Sequence, residues 1–485
     1  MEVLRCCSND QLCLFSAARA HTRLHEAAVL ALHSITTVNA QQQQVEGVLQ
    51  YLGKHGQHVD SVSISGDGDC TVNLPLPPNV QLESLLLDGA SLQVAWLRHG
   101  LLGVLGAPAG AAPALKQLRL LNCKPHDRGA ADALAAAMGQ LPKGLQHLSI
   151  SNNSDTIFRF PAGVFRRRLP QLTHLELAGV GIVGSAIGSP ALQDLQALAG
   201  LVDLRLNRLG PATRVTVSML SGMHHLTRLE LSQAQMEPGV LDGKTQLQHI
   251  MLRQLRLPQA DGVDRDVSDN GDVGPLAMQT VQLLSHLQHL QQLTHLDLLG
   301  SLCSDEERNP AAAAYSALTA SSKLAHLNIS MCRLPADACQ HVFPTGRKLL
   351  HLRYLDISSL LQPSWDEGIP PTGSSLVSCC PNLQSLDMQE VQFSSELLTA
   401  LAGLTGLSTL WLAHSEYAGN GLEALSQLTG LQELCLWLPC STQEGLLLQL
   451  TQLKQLAALY FSGQIDGPCR EVNFTMTQQV RFTLL

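Results

Sequence analysis

One short phrase recurs along almost the whole chain: apolar residues at positions i, i+3 and i+5, often with Asn, Cys or a small apolar residue at i+8. It reads LKQLRLLNC at 115–123, LQHLSISNN at 145–153 and LAHLNISMC at 324–332. Copies start at Val59, Leu82, Leu115, Leu145, Leu172, Leu201, Leu226, Leu247, Leu293, Leu324, Leu352, Leu383, Leu407, Leu431 and Leu456, fifteen in all. The 397 residues from first start to last make fourteen steps of about 28 residues each. Chance gives a leucine-rich chain one or two such phrases, not fifteen at this spacing.

The physical reading is a stack. Residues i+3 to i+5 form a short strand whose alternate side chains point inward. One repeat cannot bury its own apolar face, so neighbours must cover it. Successive strands then lie ~4.8 Å apart in one parallel sheet. On these phrases the sequence resembles the leucine-rich repeat family over about 59–462. The return segments read as helices: Leu134, Met138 and Leu141 fall at i, i+4, i+7, and Leu422, Leu425 and Leu428 at i, i+3, i+6. Long repeats with helical returns resemble the ribonuclease-inhibitor subclass. That resemblance implies an α/β solenoid, a horseshoe with its parallel sheet on the concave face and helices on the convex face.

Residues 1–57 read as a helical N-terminal cap, 58–462 as the repeats and 463–485 as a capping hairpin, with Val472, Phe474 and Met476 alternating in one arm and Val480, Phe482 and Leu484 in the other. Within the cap, 9–33 read as two short helices, 34–39 as a strand and 41–56 as a helix. Helices, then a strand, then leucine-rich repeats look like the tail of an F-box joined to its repeats. That resemblance implies a dock for a ubiquitin-ligase adaptor at residues 1–40. The opening Leu-Pro of that module is absent, and Arg23-Leu24-His25 stands about where its Trp belongs, so the module reads as truncated or degenerate. A plain cap is the simpler reading.

The longest step, Leu247 to Leu293, holds an insertion at 258–275 carrying Asp261, Asp264, Asp266, Asp269 and Asp272. From Asp266 it echoes the start of a calcium loop, but Ala277 stands where a bidentate Glu is needed. A solvated acidic loop is the better reading.

Register assigns the open face. Positions i+2, i+4 and i+6 point away from the leucines, into the concavity. The i+2 column holds His147, His174, His249, His295, His326 and Tyr354. Stacked histidines can bind metal or sense pH, but inert, solvated rings are the simpler reading, and neighbouring rings should resist being protonated together. The i+4 column holds Asp297, Asn328, Asp356 and Asp387 in consecutive repeats: a solvated acidic row, or a dock for a Lys/Arg-bearing partner. Trp411 at i+4, Trp437 at i+6 and Tyr460 at i+4 bring aromatics to the same face, beside Glu433. They read equally as anchors for a partner or as ground covered by the C-terminal cap.

Composition narrows the function. Net charge is −9, and the aromatics lie beside acidic residues, so no nucleic-acid partner is expected. No run of 18 apolar residues exists, so no membrane span is expected. The 13 cysteines form no C-x-x-C pair and read as reduced thiols in an intracellular compartment. No phosphate-loop, dinucleotide, nucleophile-elbow or zinc-protease motif is present. His295 and Asp297 share a face, with only Ser330 of the next turn near, and an open face does not exclude water. The reading is a non-enzymatic scaffold, without cofactor or metal, that holds a protein partner with a basic or apolar surface. The alternative is an F-box-like substrate receptor, and an enzyme is the least favoured reading. The expected location is the cytoplasm. The Ala/Gln/Gly-rich repeats also resemble those of green-algal repeat proteins, many of them ciliary, which makes the cilium the alternative.

Overall fold

The computed structural model describes most of residues 33–475; the longest stretches left out within that span are 73–81, 98–114, 152–162, 180–192, 256–273, 303–310, 361–372, 438–449 and 463–471. The chain divides into two compact units, 1–228 with 233–240 and 229–232 with 241–485.

Each of the fifteen phrases becomes a strand that starts at its i+2 residue. In the first unit, β1 (Ser34–Ala40), β2 (Ser61–Gly66), β3 (Ser84–Asp88), β4 (Gln117–Leu121), β5 (His147–Ser151), β6 (His174–Ala178) and β7 (Asp203–Asn207) pair in chain order, all parallel. β1 precedes the first phrase yet joins the same sheet, with Ser34 opposite Ser61. β8 (Arg228–Ser232) contributes Arg228 to the first unit and the rest to the second.

In the second unit, β9 (His249–Arg253), β10 (His295–Asp297), β11 (His326–Asn328), β12 (Tyr354–Asp356), β13 (Ser385–Asp387), β14 (Thr409–Leu412), β15 (Glu433–Trp437) and β16 (Ala458–Ser462) are again parallel and in chain order. β17 (Val472–Thr475) lies antiparallel on β16. The second arm read from the sequence, 480–484, lies outside the described residues. The architecture is an α/β leucine-rich repeat solenoid.

The core follows from the phrase. The i, i+3 and i+5 residues are buried in repeat after repeat, for example Leu293, Leu296 and Leu298, then Leu324, Leu327 and Ile329, then Leu352, Leu355 and Ile357. Burying a leucine contributes roughly 1.5–3 kcal/mol, so these three columns dominate the stability. Return segments cover the other side of the leucines. Some are α-helical, such as α1 (Gln42–His55), α2 (Arg128–Met138) and α3 (Gly274–Leu287), and others are 3-10 turns, such as 194–197, 312–319 and 421–427. α1 starts on a reciprocal cap between Gln41 and Gln44 and buries Val45, Leu49 and Leu52. No helix among the described residues is long and apolar enough to cross a membrane.

The chain leaves ten of the strands through one kind of turn. Position i+7 is left-handed in Gly89, Gly179 and Gly300, and equally in Asn122, Arg208, Gln233, Gln254, Met331, Ser359 and Glu390, with φ between 48° and 66° throughout. In six of the ten its amide donates to the i+6 carbonyl of the next repeat, as from Gly300 to Ser330 and from Met331 to Ser358, while the Asn122 amide donates to Ser151 Oγ instead. At i+8, the Cys123 and Cys332 thiols donate to the i+5 carbonyls of the preceding repeat, Leu87 and Leu298. Six described cysteines, Cys123, Cys332, Cys339, Cys379, Cys380 and Cys435, are buried and unbridged.

The two N-terminal helices read at 9–33 and most of the adaptor dock read at 1–40 fall on residues outside those described, as does the acidic insertion up to 273.

Candidate functional site

In the second unit the strand register sets out two neighbouring columns of side chains on the face opposite the leucines. The i+2 column runs His249, His295, His326, Tyr354, Ser385, Thr409, Glu433, Ala458. The i+4 column runs Met251, Asp297, Asn328, Asp356, Asp387, Trp411, Cys435, Tyr460.

The first column opens with four stacked rings. Centroids of His249 and His295 are 3.9 Å apart, those of His295 and His326 3.8 Å, and those of His326 and Tyr354 4.1 Å, with planes within 11° of parallel. Strand spacing alone dictates this, because identical positions in adjacent strands sit one ring thickness and a little more apart. Burial, with His295 beside it, pushes His326 down to about 4. The ring is therefore neutral at physiological pH, and stacking is not opposed by charge. Tyr354 is pushed up to about 12, by burial first and then by Asp356, Asp387 and Asp297.

The second column departs from the sequence reading. Asp297, Asn328 and Asp356 lie on the expected face but are not solvated: they are 1%, 5% and 8% exposed. Each folds back on its own backbone. Oδ1 of Asp297, Asn328, Asp356 and Asp387 accepts the amide two residues on, from Leu299, Ser330, Ser358 and Gln389, at 2.9–3.2 Å. The Ser330 and Ser358 hydroxyls donate to the same oxygens at 2.6 and 2.7 Å. A short carboxylate or amide satisfies a buried amide here, which open-face logic does not foresee.

Asp297 also carries an ion pair. Arg253, at i+6 of the preceding repeat, donates from Nε at 3.0 Å and from Nη2 at 2.5 Å to Oδ2. This bond is the main cause that raises the Arg253 guanidinium. His295, Asp297 and His326 offer potential metal-ligand atoms within 4.8 Å of one another. Arg253 and the Leu299 amide already hold both Asp297 oxygens, so a metal would have to displace the guanidinium. Sequence spacing alone does not reveal Arg253, which belongs to a different column and a repeat 46 residues back.

Past Asp387 the column turns aromatic. Trp411 and Tyr460 flank the small, buried Cys435, and their rings lean across it to a centroid separation of 5.9 Å, tilted by 36°. Both rings are half-buried. Glu433 stands one column over, opposite Thr409 and Ala458. Trp437 ends β15, with its backbone opposite Ser462; its side chain lies outside those described.

The same face of the first unit is built differently. Its i+4 column runs Ser63, Leu86, Arg119, Ser149, Glu176, Arg205, with mixed charge. Ser149 donates to Glu176 at 2.6 Å, and Arg205 makes a paired contact to Asp203 at 3.0 and 2.8 Å. His147 and His174 stack more loosely, at 5.0 Å, and burial holds His147 below the ordinary imidazole range.

No family model matches this chain. Human podocan-like protein 1 is 33% identical over 186 residues, 37% of this chain and 33% of that protein, so the chain spans about a third of the length of this curated relative. A leucine-rich repeat protein of Leptospira interrogans superposes with a TM-score of 0.46 at 16% identity, over 87% of this chain and 92% of that one. An internalin (InlF) of Listeria monocytogenes gives 0.42 at 16%, over 81% and 94%. Fifteen phrases each open a strand at the same position, and ten of them leave it through the same left-handed turn, which is the architecture of a leucine-rich repeat solenoid.

Proposed function

We propose that the chain is a non-catalytic scaffold that holds a protein partner on the second unit's open sheet face, at the end where Trp411 and Tyr460 meet. The observation that carries this is the ring pair leaning over Cys435. It is an aromatic platform already formed before any partner arrives, on a rigid sheet whose far side is packed leucine. Half-buried aromatics on such a face lose little side-chain freedom when covered, which makes them efficient anchors. The residues proposed for contact are Tyr354, Asp356, Asp387, Trp411, Glu433 and Tyr460, with Trp437 at the end of β15. The histidine stack and Asp297 support the face from one side rather than offering groups to a partner.

The test is proximity labelling in cells with the wild-type chain and with Trp411→Ala. The platform reading expects the labelled partner set to collapse in the variant while the melting temperature moves by less than about 3 °C. A large fall in melting temperature instead assigns the pair to closing the fold. Recovery of a ubiquitin-ligase adaptor that depends on residues 1–40 would favour the substrate-receptor reading and its F-box-like N-terminus.

A further inference from the structure

The molecule contains its own example of how a guanidinium docks in the i+4 column. Arg253 reaches forward one repeat and places two N–H groups on Oδ2 of Asp297. The position Arg253 occupies, i+6 of the preceding repeat, is Ser330 ahead of Asp356 and Ser358 ahead of Asp387. Both serines are too short to bridge to the next strand, and their hydroxyls donate to Asn328 and Asp356 of their own repeats. The two carboxylates therefore stand side by side in register with no cation on either among the described residues. Asn328 separates them from the neutralised Asp297.

Their free valences point one way. Oδ1 is taken by the turn in both. Oδ2 of Asp356 has only a long 3.5 Å contact from the Tyr354 hydroxyl, and Oδ2 of Asp387 has the Gln389 side-chain amide at 3.0 Å. Burial, with Asp356 beside it, raises the Asp387 carboxyl. Two like charges in adjacent strands, partly out of water, oppose each other until a cation covers them. The neighbour after Asp387 in the column is Trp411, whose ring gives a planar cation a face to lie on.

We infer that Asp356 and Asp387 form the subsite for an arginine side chain of the protein partner, in the place that Arg253 fills for Asp297. This rests on the scaffold reading and adds the chemistry of the residue that is recognised. A planar fork suits the site better than a lysine ammonium, because it can bridge the two Oδ2 atoms and stack on Trp411 together.

The test uses the full chain and two fluorescein-labelled peptides, hexa-arginine and hexa-lysine, read by anisotropy at physiological ionic strength. Hexa-arginine is expected to bind at least about 5-fold tighter than hexa-lysine. Asp356→Asn with Asp387→Asn should weaken hexa-arginine by about 10-fold or more, whereas the charge-matched pair Asp132→Asn with Glu396→Gln, both exposed and off this face, should change it less than about 2-fold. The asparagine variants keep the turn, since Asn328 already makes the same bonds at the same position; an unchanged melting curve verifies this. Equal loss in the two double variants overturns the inference, because generic attraction to an acidic protein then explains the binding. Equal affinity for the two peptides also overturns it. If the asparagine pair keeps its peptide affinity while Trp411→Ala loses its labelled partners, the arginine subsite falls and the scaffold reading stands.

Discussion

Strands β10 to β13 are three residues long, whereas β9, β15 and β16 in the same unit are five. The phrases that make them have the same apolar spacing. What differs is one residue: the short strands carry Asp or Asn at i+4, and the long ones carry Met251, Cys435 and Tyr460. In the short strands the i+6 amide bonds to that side chain, so this rung is lost from the inter-strand ladder, although the i+7 amide past β10, β11 and β12 still reaches the next repeat. The first unit supplies the control. Glu176 stands at the same position in β6, one methylene longer, and its strand keeps five residues. A carboxylate on a two-carbon stem does not close the tight ring that aspartate closes with an amide two residues on. The comparison teaches that the hydrophobic pattern places a strand, while a single polar side chain decides how long it runs.

The largest effect is expected where turn and ion pair coincide. Asp297→Ala removes the acceptor of the Leu299 amide and leaves Arg253 without its carboxylate. Because Arg253 is 42% exposed, the loss is smaller than for a fully buried pair, and about 2 kcal/mol is expected in denaturant unfolding. A loss below about 0.5 kcal/mol would show that Asp297 is dispensable to the turn.

Next comes pH. His326 takes up a proton less readily folded than unfolded, so the unfolded chain binds more protons as pH falls from the ordinary 6.5 to about 4. Stability is fully present above that window and is lost across it. The melting temperature should drop between pH 6.5 and 4 in the wild type, and less steeply in His326→Gln. Parallel curves for the two proteins would remove the ring stack from the explanation.

A subtler swap tests the strand-length rule directly. Asp387→Glu should free the Gln389 amide from its side-chain acceptor. Amide hydrogen exchange at residue 389 should change by about tenfold or more, with a stability change of about 1 kcal/mol or less. Unaltered exchange would break the link between Asp and the three-residue strands.

The smallest effect is expected at the exit turn. Met331 is half exposed at φ 55°, where a side chain clashes with its own backbone. Met331→Gly should stabilise by about 0.5–1 kcal/mol, and a destabilisation would show that the Met331 side chain holds the turn in place.

Much of this fold is legible in the sequence because the repeat is counted rather than inferred. Every phrase start fixes a strand start two residues on, and within each unit the strands from β1 to β7 and from β9 to β16 pair in chain order. The face of His295, Asp356 and Trp411 follows from parity alone. What parity does not give is depth. Counting says that Asp297 points away from the leucines, but not that it turns back onto the Leu299 amide beneath Arg253 until 1% of it is exposed. The ring stack shows the same limit: spacing puts the histidines in a row, and only packing tells how far burial moves His326. The exit turn is a third case. Three glycines and seven other residues of quite different chemistry hold positive φ there, so no residue type announces it, although in these ten phrases it falls at the same place.

That Asn328 sits between Asp297 and Asp356 has a consequence for how such a chain gains and loses repeats. The strand bonds handed from β10 to β11 and from β11 to β12 follow one pattern, so removing the 28 residues 324–351 would let the Leu298 and Gly300 amides at the end of β10 meet the matching carbonyls of Asp356 and Ser358. It would also bring the carboxylate held by Arg253 directly against Asp356. Whole-repeat deletion or duplication in this stretch is therefore nearly silent to the backbone and audible in the electrostatics, and the order of the repeats, more than their number, is what such a change would alter.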